Sequence, residues 1–425
     1  MESIALGAVL IICLILGIPI AISIGIAVTI SILIANITPL FIAQSAFTAL
    51  DSFPLMAIPF FILAGALMEN GGLSNRLIAF ANSFMKSLTG GLALVTLMSC
   101  LFFAALSGSS PATVAAIGSI MIPAMVKKGY SKEFSSAVAA SGGGLGILIP
   151  PSIPLIIYGI IANVSISDMF LAGIGPGLVA ALFLGGTIVI ISRKRGYKGT
   201  SQKIDWKEVR TTFWEAKWSL LAPVIILGGI YGGIFTPTEA AVIAVFYAFI
   251  IGLFFYKELT FKNIKKAFIT SSIMTGSILI ILSTAAAFAK LVTMYGIPAA
   301  ISQYVLAVST DPLITLLLIC LVVLIIGTFM ETLSIIIILT PLFLPVITQL
   351  GIDPIHFGIA LVLAAEIGLL TPPVGVNLFV ASGISNLSIE RISIAMIPFI
   401  LAMILSLLVI ILVPQISIFL PNLLR

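Results

Sequence analysis

Two stretches of this chain, Gly146-Ile-Leu-Ile-Pro-Pro-Ser152 and Gly368-Leu-Leu-Thr-Pro-Pro-Val374, set a double proline inside hydrophobic sequence, 222 residues apart. Proline has no amide hydrogen and collides with the carbonyl four residues back, so each stretch is a helix interrupted at bilayer depth. The same offset pairs Pro123 with Pro345, Gly129 with Gly351, Gly146 with Gly368, Leu148 with Leu370 and Pro176 with Pro398. The chain is an internal duplication whose shared features are its breakers. Broken helices at matching places in two halves mark the binding site of a secondary transporter.

Composition sets the solvent. With 60% apolar and 8% charged residues and a mean hydropathy of +1.30, the chain reads as an all-α polytopic membrane protein rather than a soluble enzyme. The start, Met1-Glu2-Ser3-Ile4, has no basic stretch or small-residue cleavage site, so the first helix is expected to be retained. Cys13, Cys100 and Cys320 lie in apolar runs without metal or disulfide spacing and read as packing residues. The formal charge of +5 follows from basic cytoplasmic loops rather than from an anionic macromolecular partner.

A crossing takes about 20 residues, and shorter paired segments suit re-entrant hairpins. The predicted first copy, 1–192, has crossings near 3–17, 20–34 and 48–69, a hairpin at 91–126, a broken helix at 134–165 and a crossing at 171–192. The second, 219–425, has crossings at 219–235, 237–256 and 267–290, a hairpin at 312–348, a broken helix at 358–385 and a crossing at 394–420. That makes about ten full crossings plus two hairpins. Residues 193–218 carry eight Lys or Arg together with Trp206, Trp214 and Trp218 and read as an amphipathic cytoplasmic connecting arm.

Charge orients the copies. Lys127, Lys128 and Lys132 follow the first hairpin, whereas Gln349-Leu-Gly-Ile-Asp-Pro-Ile355 follows the second without a Lys or Arg. The copies are therefore expected to be inverted, with the first hairpin on the cytoplasmic side, the second on the periplasmic side and the N-terminus outside. Only Lys290 and Arg425 of the 20 basic residues then fall outside the cytoplasmic face.

The chemistry follows from the breaks. Pro150 and Pro151 should free the carbonyls of Gly146 and Ile147, and Pro372 and Pro373 those of Gly368 and Leu369. Such carbonyls persist in a membrane where they line a cavity or hold an ion, and hard alkali cations suit them. The first hairpin tip, Ser107-Gly-Ser-Ser-Pro-Ala-Thr113, gathers hydroxyls beside a helix N-terminus, where unpaired N–H groups attract carboxylates. The second tip, Gly327-Thr-Phe-Met-Glu-Thr-Leu-Ser334, offers Glu331 and Thr332 instead. Of the three acidic residues within apolar runs, Glu331 sits at a tip, Glu239 follows Pro237 as a helix cap would, and Glu366 is open between ion ligand and structural hydrogen bonding. The predicted membrane core holds no Lys or Arg, so an anionic solute would be neutralised by helix N-termini and bound cations, which makes cation and solute binding reciprocal. His356 reads as a turn residue.

The first tip with Ala115-Ala-Ile-Gly-Ser-Ile-Met-Ile-Pro-Ala124, Ile149-Pro-Pro-Ser-Ile-Pro154, Gly233-Ile-Phe-Thr-Pro-Thr-Glu-Ala240, Gly351-Ile-Asp-Pro-Ile-His-Phe-Gly358 and Leu370-Thr-Pro-Pro-Val-Gly-Val-Asn-Leu-Phe-Val380 resembles the large membrane subunit of tripartite ATP-independent periplasmic (TRAP) transporters, over essentially the whole chain. The resemblance implies an inverted-repeat elevator in a bacterial inner membrane. It would import a carboxylate-bearing solute such as sialic acid or a four-carbon dicarboxylate, with sodium as coupling ion and no other cofactor. It implies a small four-helix membrane subunit and a periplasmic binding protein as partners. Carried over, sodium ligands are Ser107, Ser109, Gly146, Ile147, Glu331, Thr332, Gly368, Thr371 and Gly375, and solute contacts are Ser107, Ser109, Ser110, Thr113, Ser152, Thr332 and Asn377. Family members often have Asp at the place of Glu331. A standalone sodium–carboxylate symporter and an ion channel are the competing expectations. Nothing resembles an enzyme's nucleophile and base.

Overall fold

The computed structural model describes residues 2–199, 204–373 and 375–424, and these residues form helices and connecting turns without a strand. The offset of 222 reappears in helix boundaries. Ser110–Lys127 corresponds to Thr332–Gln349, and Lys132–Gly143 with its 3-10 extension Gly144–Ile147 corresponds to Pro354–Leu369. Between each pair the chain turns on a left-handed glycine, Gly129 at φ +87° and Gly351 at φ +71°, a conformation that costs glycine nothing. Each broken helix resumes after a cis Pro–Pro bond, at Ile153–Ala162 and Val376–Ser385, and each resumed piece ends on a left-handed asparagine, Asn163 or Asn386.

Caps define where the broken helices begin. Ser131 Oγ accepts from the Phe134 amide at 3.3 Å, and Asp353 Oδ1 from the Ile355 amide at 2.7 Å, which satisfies N–H groups the first turn leaves over. Past their first turns both helices are rich in small and aliphatic residues, with Ser135, Ser136 and Ser141 among them in the first copy, and Ile355 through Leu369 are buried throughout. Small residues let helices approach where no aqueous hydrophobic effect drives them together. Gly358 lies so close to Tyr158 that a Cβ there would sit 2.3 Å from the ring, while the Tyr158 hydroxyl donates to the Pro354 carbonyl at 2.5 Å. Each hairpin's return helix packs on the other copy's resumed piece: Ser110–Lys127 on Val376–Ser385, and Thr332–Gln349 on Ile153–Ala162.

Several boundaries differ from expectation. The predicted crossing at 48–69 is divided into Leu40–Leu50, a 3-10 turn at Phe53–Met56 and Ala57–Asn70, whereas its counterpart is one helix of 34 residues, Phe261–Met294. Pro54 explains the asymmetry, because the matching position is Gly276, which keeps its amide. Leu73–Met85 and its counterpart Ile297–Val308 are helices additional to the expected crossings and hairpins. The stretch 193–218 is divided too: Arg193–Arg195 close Ile166–Arg195, and Trp206 begins the helix Trp206–Tyr231 after the Asp205 cap, while the 200–203 part of the expected arm lies outside the described residues. The crossing expected at 394–420 is two helices, Ile389–Leu412 and Gln415–Leu424.

Among the described residues, eight helices are long and apolar enough to cross a membrane, or nine if Ile297–Val308 and Pro312–Gly327, bent by 118°, count together. The first two helices, of 14 and 15 residues, fall short of a perpendicular crossing. On the basic side, Leu73–Met85 is tied to the other copy by Arg76–Glu258 at 2.6 Å and to the connecting stretch by Lys86–Glu208. Arg76 also stacks 3.7 Å from the centre of the Tyr256 ring.

Candidate functional site

The two tips and the two breaks meet. At the first tip, Gly108 takes φ +59°, its carbonyl accepts from the Ile153 amide at 3.2 Å, and a Cβ on it would lie 2.6 Å from the Pro151 carbonyl. The tip is therefore seated on its own copy's break. In the second copy the seating is glycine on glycine: a Cβ on Gly368 would lie 2.5 Å from the backbone of Gly327.

The hydroxyls of the first tip are organised rather than free. Ser107 Oγ and Thr113 Oγ1 are 2.8 Å apart, and Thr113 donates to the Ser109 carbonyl at 2.8 Å. Ser110 Oγ donates to Glu366 Oε1 at 2.6 Å. Asn377 Nδ2 donates to that same oxygen at 2.8 Å and to Ser110 Oγ at 2.6 Å. All three residues are fully buried. Gly144, in the first break, leaves the room, since a Cβ there would lie 2.8 Å from Glu366 Oε1. A single buried cluster thus joins the first tip, the first break and both sides of the second break.

Two of the four carbonyls expected to be freed have partners. Ile147 accepts from Ser152 Oγ at 2.5 Å, and Gly368 accepts from the Thr371 amide at 2.9 Å. Serine and a tightened turn re-satisfy backbone that proline releases, so the carbonyls of Ile147 and Gly368 are not freed as expected. Ser152 also caps Ile153–Ala162 through the Leu155 amide at 3.4 Å. Thr371 Oγ1 donates to the Ile367 carbonyl at 2.8 Å. Gly375, at φ +33°, is the N-cap of the resumed helix.

Two adjoining cavities share the walls Ser109, Ile153 and Met274. The inner one, about 190 Å³, is bounded by Ser109, Ser110, Ile147, Glu331, Thr332 and Glu366 together with Met274 and Ser277. Among the described residues no Lys or Arg lines it. The outer one, about 370 Å³, reaches from Ser107 and Ser109 to Glu69, Lys266 and Thr270. Glu331 is exposed at the N-cap of Thr332–Gln349 without a capping hydrogen bond, so its carboxylate is available to the cavity. Thr332 Oγ1, Glu366 Oε2 and Asn377 Oδ1 are buried without a hydrogen-bond partner. Oxygen atoms in that condition are costly unless a ligand completes them.

Gly146, Thr113, Ser152, Gly368, Thr371, Gly375 and Asn377 bound neither cavity and act from behind its walls. Glu239 caps its helix, reaching back to the Thr236 amide at 2.8 Å, as its position after Pro237 suggested. His356 is a correction: it is buried in the first turn of Pro354–Leu369 with Nδ1 3.3 Å from Ser417 Oγ, not an open turn residue. The wall contributed by Phe261–Met294 was missed. Its signal was Lys266, Thr270, Met274 and Ser277, whose spacing places them along one face of that helix.

The sequence from residue 8 to residue 416 matches the family model described as tripartite ATP-independent periplasmic transporter, DctM component. The chain belongs to this family. It is a TRAP transporter large permease, a multi-pass membrane protein. It is 40% identical over 439 residues to the C4-dicarboxylate TRAP transporter large permease protein DctM of Rhodobacter capsulatus, with all of both chains covered. It is 36% identical to the sialic acid TRAP transporter large permease protein SiaM of Vibrio cholerae, over 96% of this chain and 95% of that one. It is 48% identical to the isethionate TRAP transporter permease protein DctMQ of Oleidesulfovibrio alaskensis, where 96% of this chain spans 64% of the longer relative. These relatives are named as transporter permeases, not enzymes. The permease's fold is similar to that of the Alcanivorax borkumensis YdaH transporter, at a TM-score of 0.62 and 15% identity over 87% of this chain and 86% of that one.

Proposed function

We propose that this permease couples sodium to the import of a small organic acid anion, and that the inner cavity is where ion and solute meet. The observation that carries the reading is convergence: Ser109 and Ser110 of one tip, Glu331 and Thr332 of the other, Ile147 of one break and Glu366 beside the other all bound one space of about 190 Å³. The donor set is oxygen throughout, which suits a hard monovalent cation, and the unpartnered Thr332 Oγ1, Glu366 Oε2 and Asn377 Oδ1 fit such a group.

Of the expected sodium ligands, Ser109, Ile147, Glu331 and Thr332 bound the inner cavity and Ser107 the outer one; these would hold the ion, with Glu366 added to the set and Gly146, Gly368, Thr371 and Gly375 positioning them from behind the walls. The solute would meet Ser107, Ser109, Ser110 and Thr332, with Thr113, Ser152 and Asn377 holding those groups in place. The walls supply no guanidinium or ammonium to the inner cavity, so bound cations raise its affinity for an anion, and the effect is reciprocal. The named relatives carry four-carbon dicarboxylates, sialic acid and isethionate, the last a sulfonate, which widens the solute class from carboxylates to small organic acids.

An elevator movement of the hairpins and broken helices against Ala57–Asn70 and Phe261–Met294 is favoured by the cavities lying between these two groups of helices. A small membrane subunit and a periplasmic binding protein complete the transporter in this reading. The two copies, 1–192 and 219–425, face opposite sides of a bacterial inner membrane with the N-terminus in the periplasm.

Uptake into proteoliposomes with the binding protein present tests the proposal. Ser109→Ala and Glu331→Gln should each raise the sodium concentration for half-maximal uptake by roughly tenfold, the worth of about one charge-assisted contact. Unchanged sodium dependence in both variants defeats the site assignment. Uptake by the permease alone would favour a standalone symporter.

A further inference from the structure

Away from the cavities, a cleft of about 440 Å³ opens where the C-terminal end of Ile166–Arg195 meets the N-terminal ends of Lys132–Gly143 and Ile389–Leu412. Its rim carries Lys194, Arg195 and Arg391 against one carboxylate, Glu133. Glu390, next to Arg391, is held at its own helix N-terminus by its backbone amide and Ser388. Arg195 is committed to the fold: Nη1 donates to Ser131 Oγ at 3.0 Å and the guanidinium lies 5.7 Å from the centre of the Phe134 ring. Among the described residues, Lys194 and Arg391 make no ion pair, and both are exposed. Two like charges are thus brought to one cleft, and among the described residues its one carboxylate, Glu133, forms an ion pair with neither.

Below the charges the wall becomes apolar, with Ile191 and Ile394. From Ile394 the exposed face of Ile389–Leu412 continues through Ile397, Leu401 and Leu405, which are 70%, 53%, 55% and 52% exposed in that order. These positions recur at helical spacing, so they form one stripe leading from the charged rim into the depth of a predicted crossing. A soluble anion has no use for such a stripe. An amphiphile with an anionic head does, and basic pockets between transmembrane helices are where phosphate headgroups bind.

We propose that this cleft binds an anionic glycerophospholipid, its phosphate between Lys194 and Arg391 and one acyl chain along the Ile394–Leu405 stripe. The residues lie apart from those assigned to ion and solute, so the inference stands independently of the proposed function. The test is lipid binding by the full permease in nanodiscs or by native mass spectrometry, with phosphatidylglycerol as probe and phosphatidylcholine as reference. Wild type should retain phosphatidylglycerol preferentially. Lys194→Gln with Arg391→Gln should weaken that retention by about 25-fold, roughly fivefold for each cation near a membrane surface. Lys262→Gln with Lys265→Gln, the same charge change elsewhere, should leave it within about twofold. Equal retention of the two lipids, or equal loss from both double variants, overturns the proposal. So does displacement of the lipid by glycerol phosphate at equal concentration, which would mark a site for soluble anions.

Discussion

Asn377 Nδ2 lies 2.8 Å from Glu366 Oε1, eleven residues back across the second break, and its other contact is Ser110 of the first hairpin. A buried carboxylate is tolerable when donors reach it and a positive charge completes it. Here hydroxyl and amide serve one oxygen and leave the other without a partner.

Glu366→Gln keeps the shape and removes the charge. We expect sodium-dependent uptake to fall at least tenfold with the unfolding temperature within a few degrees of wild type. Asn377→Ala instead withdraws a donor from a buried acceptor and should cost about 1–3 kcal/mol of stability. Uptake and thermal unfolding on the same preparations separate the two outcomes, and wild-type sodium dependence in Glu366→Gln would make the carboxylate structural.

The contact between the second tip and its break is backbone against backbone. Gly368→Ala would place a methyl 2.5 Å from Gly327 and should destabilise by about 1–3 kcal/mol or more, as overpacking does. Gly383→Ala, in the resumed helix of the same copy, meets nothing within 4 Å and should be neutral or stabilising by up to ~1 kcal/mol. Thermal unfolding of the pair in detergent checks the contrast.

Lys266 is the ammonium on the wall of the outer cavity, facing Glu69 from the neighbouring helix. If an anion passes there, Lys266→Gln should raise the half-saturating solute concentration by roughly two- to fivefold, the worth of a solvated ion pair. The sodium requirement should stay as in wild type. Initial uptake rates across solute and sodium concentrations give both numbers.

Asp353 Oδ1 accepts from the amides of Ile355 and His356 at 2.7 and 3.2 Å. Asp353→Ala should cost about 1 kcal/mol as a lost helix cap, visible as a fall of a few degrees in unfolding temperature. Sodium dependence should be unaffected, because the cap lies at the far end of Pro354–Leu369 from Glu366.

The legible parts were those with local causes. Proline pairs announced both breaks, the offset of 222 announced matching helices, and the place of Glu239 after Pro237 announced a helix cap, which the structure shows as a capping box with Thr236. Less legible was the division at Pro54, because an apolar run reads as one crossing until a proline is weighed against its counterpart Gly276. Ser152 and Thr371 were read as ligands, yet each spends its hydroxyl on a nearby carbonyl, a local competition that residue type alone does not decide.

Glu366 marks the boundary between the two kinds of knowledge. That it is an acid in an apolar helix next to a break is written in its neighbours along the chain. That it faces Ser110, 256 residues away, follows from one copy's hairpin packing on the other copy's broken helix. Periodicity and propensity act over a turn or two of helix, so sequence alone determined most of the elements, the two breaks and the duplication. Which side chains share a cavity was decided by tertiary packing, because that depends on how close small residues such as Gly144, Gly327 and Gly368 let distant backbones come.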